Sequence, residues 1–155
     1  METKKITVKE FFELLKEKKG DLRDLQELIS IKDEVYFHGE YTYPIYLRNI
    51  QFEQIVMFND SVFEEIVDLE NSIFKNNVNC GRAYFKKNFY FSKSHHINHF
   101  YCNECVFEKD VYLQQVVVDE NNFQLNDAKF LGRCDCKQHE HIAKKLLYYK
   151  MGLII

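Results

Sequence analysis

A chain of 155 residues that is 46% hydrophobic and 29% charged has the length and balance of one globular unit. Its formal net charge of −3 nominates no polyanionic partner, and no run approaches the roughly 18 apolar residues of a membrane-spanning helix. Fourteen Phe and ten Tyr beside one Pro and no Trp favour strand over helical bundle. The opening METKKITVKE lacks the apolar stretch of a secretory signal, and five Cys is an odd count for a disulfide framework. A cytoplasmic protein with no membrane attachment is the expectation.

In chain order, residues 1–34 read as a helical cap. Thr7 and Glu10 form a capping box opening a helix with Val8, Phe11, Phe12, Leu14 and Leu15 on its apolar side. Gly20 stops that helix, and Asp21 is positioned to cap a second one carrying Leu22, Leu25, Leu28 and Ile29. DEVYFHGEYTYP then hands over to a repeating segment, residues 35–138. Residues 139–155 read as a C-terminal helical cap, with Ile142, Leu146, Leu147 and Met151 inward, followed by the apolar tail Leu153, Ile154 and Ile155. That tail is expected either to fold back onto the repeat or to make a homodimer contact.

The repeat is an eleven-residue beat, plainest in SIFKNNVNCGRAYFKKNFYFSK, which is one line written twice. It extends over nine units: 39–49, 50–60, 61–71, 72–82, 83–93, 94–104, 105–115, 116–127 and 128–138, the eighth with one extra residue that predicts a bulge. Positions 1, 3, 7 and 9 of the units contain no Asp, Glu, Lys or Arg, although 29% of the chain is charged. Two pairs at spacing two, joined by short polar segments, describe short strands meeting at corners, since a helix needs spacings of three and four. The geometry that satisfies this is a coil wound round a narrow core, each turn bonded to the next.

The units AYFKKNFYFSK, CVFEKDVYLQQ and SVFEEIVDLEN resemble the pentapeptide-repeat family. On that resemblance the central aromatics are Phe52, Phe63, Phe74, Phe85, Phe107 and Phe130, with the small residues Ser61, Ser72, Ala83, Cys105 and Ala128 two before all but Phe52. It implies an all-β solenoid, a right-handed quadrilateral β-helix of about 4–5 coils and roughly 22 Å, with helical caps at both ends. His96 departs from the pattern, standing where a central Phe belongs.

Candidate chemistry is sparse. Cys102 and Cys105, with Cys134, Cys136, His139 and His141, have zinc-like spacing, but every Cys falls on an inward position, where it packs as a small apolar filler. No metal or cofactor is expected. His96 is read first as a satisfied core imidazole, with a metal or pH-sensitive role as the alternative. No nucleophile motif, phosphate loop or paired carboxylates appear, so the chain is not expected to be an enzyme.

Function is therefore sought on the surface. Acidic residues fill 51–70, basic residues 75–93 and acidic residues again 104–127. Outward aromatics include Tyr46, Tyr84, Tyr90, Tyr101 and Tyr112, and Tyr90 and Tyr112, 22 residues apart, should be neighbours with Tyr84 close by. Tyr84, Tyr90, Tyr112 and Tyr46, with Lys86 and Lys87 at the edge, are the expected partner-binding residues. The expected role is a non-catalytic protein-binding module, an inhibitor, immunity or anti-defence protein acting on a larger, nucleic-acid-processing enzyme. The resemblance also implies an alternative, a DNA mimic that engages a topoisomerase. A third reading is direct nucleic-acid binding through the Lys and Tyr belt, against which net charge argues.

Overall fold

The computed structural model describes residues 3–93, 97–116, 118 and 120–136. Strand β1 (Thr3–Ile6) and helix α1 (Val8–Glu17) come first. Strands β2 (Leu28–Ile31), β3 (Val35–Tyr36), β4 (Glu40–Tyr41) and β5 (Ile45–Tyr46) then trace one coil. The order repeats on the next coil, 21 residues on for β2 and β3 and 22 for β4 and β5, with strands at Ile50–Phe52, Val56–Met57, Val62–Phe63 and Val67–Asp68. Stacked in this way, the strands make four all-parallel sheets, which serve below as faces I to IV. Face I holds β1 and β2 and reaches Ile73–Phe74. Face II starts at β3, face III at β4 and face IV at β5, and each contains five strands. The result is an all-parallel β-solenoid of about six turns.

Each turn is bonded to the next through the backbone. Val56 and Phe58 donate to the carbonyls of Asn77 and Asn79 at 3.1 and 2.7 Å, and Val78 and Cys80 repeat the pattern to His99 and Tyr101. Inside, the same register stacks side chains. Tyr41, Phe63, Phe85, Phe107 and Phe130 form one ladder on face III, with successive ring centroids 4.9–5.1 Å apart. Such pairs contribute about 0.5–1.5 kcal/mol each beyond their burial. The small residues at position 1 sit at crowded inner corners. Ser61 and Ser72 are buried there and donate to the carbonyls of Phe37 (3.0 Å) and Leu47 (2.5 Å), a full coil away.

The beat has a second component on the backbone. Asn49, Asp60, Asn71, Arg82, Lys93, Glu104, Gln115 and Asp127 each close a unit, and all have φ between 55° and 59°. This left-handed turn reverses the chain at one set of corners. Asn and Asp tolerate it, whereas Arg82, Lys93, Glu104 and Gln115 adopt it at a steric cost. The extra residue of unit 116–127 is taken up by a 3-10 turn at Glu120–Asn122, so that Phe100 pairs with Phe123, 23 positions on.

The N-terminal region departs from the expected cap. α1 is as read: Thr7 accepts from the Glu10 amide at 3.2 Å, the Glu10 carboxylate accepts from the Thr7 amide at 2.7 Å, and Phe11 and Leu15 are buried. Phe11 packs edge-on against Phe37 and Phe52. Gly20, at φ 82°, ends the helix, and an added Cβ there would collide with the Pro44 carbonyl. The second helix does not form. Leu28–Ile31 is a strand pairing Ile29 and Ile31 with Ile50 and Phe52, so the solenoid begins within the expected cap and not at residue 35. Alternating β-branched residues, inward at 29 and 31, outweigh the helical spacing of Leu22, Leu25 and Leu28. Residues 28–38 add half a coil ahead of the nine expected units, and β1 adds a further strand to face I ahead of β2. Gly39, read as an inward position, is exposed. The expected C-terminal helix, the homodimer tail Leu153–Ile155 and His96 lie outside the described residues.

Replacing Phe85, which stacks on both Phe63 and Phe107, with Ala is expected to cost about 3–5 kcal/mol in urea unfolding. Gln115→Gly is expected to stabilise by about 1 kcal/mol through relief of the left-handed strain, and Gln115→Val to destabilise. Equal melting temperatures for the two Gln115 variants would contradict the corner assignment.

Candidate interaction surface

Residues 22 apart share a face, while residues 11 apart lie on opposite faces, and this sorts the expected site. Tyr90 and Tyr112 are register partners on face IV, their rings 4.6 Å apart and 3° from parallel. Tyr46 belongs to the same face, but its register partner is Asp68, which in turn pairs with Tyr90. The outward ladder of face IV thus reads Tyr46, Asp68, Tyr90, Tyr112, Asp135. Tyr84 is on face III, between Val62 and Val106, with its hydroxyl on the Glu108 carboxylate. Tyr84 therefore does not share the face of Tyr90 and Tyr112. Lys86 and Lys87 occupy the corner between the two faces, so the expected residues wrap an edge of the rod. Tyr101, one unit out of phase, is on face II.

Asp68 is the residue that the Tyr reading passed over. It is 7% exposed, accepts from the Glu70 amide at 3.0 Å and lies 3.6 Å from the Arg48 guanidinium. Arg23 sits 3.8 Å above the Tyr46 ring, which partly covers that end of the ladder. Its position in the sequence was the available signal, because Asp68 is at position 8 of its unit like Tyr46, Tyr90 and Tyr112. At the open end, partial desolvation pushes the Tyr112 phenol above its ordinary value, with Tyr90 and Asp110 adding to the effect. Its hydroxyl donates to the Asp110 carboxylate at 3.5 Å. Tyr90 OH accepts from Asn88 Nδ2 at 3.0 Å.

The charge bands resolve into contacts between coils. The basic band sits one coil above the first acidic band, and three of its residues are paired downward. Lys75 lies 3.2 Å from Glu53, Arg82 2.6 Å from Asp60, and Lys86 2.7 Å from Glu64. Arg133 repeats this on Asp110 at 2.8 Å. Lys86 is therefore not a free rim charge. Lys87 is exposed and has no ion pair among the described residues. The pairs are solvent-exposed, so each contributes little, but their register reinforces the stacking.

The thiols lie inside. Cys80, Cys102, Cys105 and Cys136 are buried and Cys134 partly so, all five being free. Cys105 Sγ donates to the Cys102 carbonyl at 2.9 Å, and burial pushes the Cys102 thiol well above its ordinary value. These side chains pack within the rod as small apolar fillers. Among the described residues no cluster of three or more His, Cys, Asp or Glu is placed to hold a metal ion. His139 and His141 lie outside those residues. No helix among the described residues is long and apolar enough to cross a membrane.

The pairs predict a pH response. The Arg82 hydrogen bonds hold the Asp60 carboxyl below its ordinary range, and those from Arg133 do the same for Asp110. A depressed carboxylate contributes stability that is present above its unfolded value and lost as pH falls through its folded one. The melting temperature should fall on acidification below about pH 4, and the fall should be smaller in Asp60→Asn. Identical acid profiles for the two proteins would contradict the pairing.

Compared with known proteins, the chain matches no family profile, no curated protein and no solved structure.

Proposed function

We propose that the protein is a non-catalytic, cytoplasmic protein-binding module, an inhibitor or immunity-type protein that engages a larger enzyme. The right-handed quadrilateral path of pentapeptide-repeat proteins is part of this reading, supported by the four faces and the eleven-residue beat. The observation that carries it is the Tyr90–Tyr112 pair, two parallel, half-buried rings stacked on one sheet face. Tyr has few torsions to immobilise and offers both apolar area and a polar tip, which suits it to binding hot spots. One face is small, on the order of 250 Å² for five rungs of strand about 10 Å wide. A partner of ordinary interface size needs roughly 800 Å² per side, so it would have to reach round the Lys86–Asn88 corner onto Tyr84.

The internal pairing of Lys75, Arg82 and Lys86 weighs against direct nucleic-acid binding through the basic belt. Mimicry of DNA remains the alternative that the family resemblance implies, and it differs in depending on the carboxylates.

The test begins with affinity capture from source-cell lysate and mass spectrometry, followed by measured affinities for the captured protein. Tyr112→Ala is expected to weaken binding by about 2 kcal/mol without changing the melting temperature. Lys87→Glu is expected to slow association with little effect on dissociation. Wild-type binding by both variants would overturn the assignment. Loss of binding on neutralising Glu64 and Glu65, with Tyr112→Ala inert, would favour mimicry.

A further inference from the structure

Face II presents a different chemistry. Its first strand, β3, turns out Glu34, Tyr36 and His38, with the Tyr36 hydroxyl on the Glu34 carboxylate, and the strands above it turn out positions 6, 8 and 10 of units 50–60, 72–82 and 94–104, then Asn122, Gln124 and Asn126. From Ile55 to Asn126 none of them is charged, in a chain with 29% charged residues. The same positions on face IV hold Arg48, Asp68, Glu70, Asp110, Arg133 and Asp135. In place of charge, face II carries carboxamides and two aromatic rings. His99 and Tyr101 are 5.5 Å apart and 2° from parallel, and His99 Nδ1 lies 3.2 Å from Asn77 Oδ1.

The amides are held in orientation. Asn79 Oδ1 accepts from the Gly81 amide at 2.9 Å, and Asn103 Oδ1 accepts from the Asn126 amide at 3.0 Å. With each oxygen engaged by backbone, the nitrogen is the end left for other partners. Asn103 Nδ2 reaches Gln124 Oε1 at 3.4 Å, whereas Asn79 Nδ2 has no hydrogen bond among the described residues. Asn77, Asn79, His99 and Tyr101 are all half-buried, so they are accessible and yet fixed.

We propose that face II binds a neutral linear glycan lying along the rod, independently of the protein-binding reading of face IV. Amides both donate and accept, which matches sugar hydroxyls that do the same. Aromatic rings take the apolar C–H faces of pyranose rings, and an uncharged surface exerts no pull on an ionic partner. Rungs about 4.8 Å apart advance by roughly the length of one sugar ring, so neighbouring coils would meet neighbouring residues of the chain. Size separates this from a second copy of the protein. The four uncharged rungs, on the order of 200 Å², are far short of the ~800 Å² per partner of a stable dimer, yet they span an oligosaccharide of about four rings.

The probes are gluco-, manno-, xylo-, galacto- and N-acetylglucosamine hexasaccharides, added to isotope-labelled full-length protein and followed by NMR. At least one should shift the signals of Asn79, His99 and Tyr101 but not those of Tyr90 and Tyr112, with an affinity independent of salt. Tyr101→Ala should weaken that binding about tenfold. Asn79→Asp keeps the acceptor for Gly81 and replaces the amide donor with a carboxylate, so it should weaken binding with the fold intact. Tyr90→Ala should bind the glycan like wild type even if it loses a protein partner. No binding by any hexasaccharide, shifts centred on Tyr90 and Tyr112, salt-sensitive binding, or a protein captured on face II in place of a glycan would each overturn the proposal.

Discussion

Everything in this molecule depends on one register: residue i lies against residue i+22 on the next coil. The step is shortened to 21 where β2 and β3 meet the second coil and lengthened to 23 where a rung spans the extra residue of unit 116–127. Backbone amides on one turn find carbonyls on the next, which satisfies the polar groups of a chain whose strands are two to four residues long. Isolated strands of that length have no stability of their own. Stacked in parallel they bury a continuous column of Phe, Val, Leu and Cys, and every added coil extends both the ladder and the core. The left-handed corners at Asn49, Asp60, Asn71 and their successors make the register possible by turning the chain at the same angle each time.

The same register organises the surface. Asp60 meets Arg82, and Glu64 meets Lys86, because acidic and basic bands each about one coil long are wound onto one another. What looks along the sequence like alternating charge is, around the coil, a set of vertical pairs. Aromatic residues obey the same rule: Tyr90 finds Tyr112 a coil above, while Tyr101, midway between them in sequence, looks out on the opposite side. Two chemically distinct faces result. Face IV mixes Tyr with acid and Arg, and face II from Ile55 to Asn126 carries amides without charge.

Much of the fold was legible because inward positions obey a strict apolar rule that a single sequence displays. The Phe63–Phe85–Phe107 ladder and the Tyr90–Tyr112 contact follow from counting 22. The start of the solenoid was harder to see. Leu22, Leu25, Leu28 and Ile29 fit a helix in isolation, and only the pairing of Ile29 and Ile31 with Ile50 and Phe52 decides for strand. The left-handed corners were hidden because Arg82, Lys93, Glu104 and Gln115 have no intrinsic preference for that conformation and adopt it under the constraint of the coil. The site was less legible than the fold. A period of eleven specifies which residues point outward but not which faces they share, so Tyr84 was placed beside Tyr90 when a corner separates them. Asp68 escaped notice because attention to Tyr at position 8 passed over the unit that carries an acid there.

Disulfide trapping tests the register most directly. Partners in adjacent parallel strands have Cα atoms close to 5 Å apart, within the range a disulfide accepts. A protein carrying Tyr90→Cys and Tyr112→Cys should cross-link within the chain under mild oxidation and keep its cooperative unfolding. A control carrying Tyr90→Cys and Tyr101→Cys, whose positions fall on opposite faces, should remain reduced. Cross-linking of the control with none between positions 90 and 112 would contradict the 22-residue coil, and with it both the fold and the surfaces built on it.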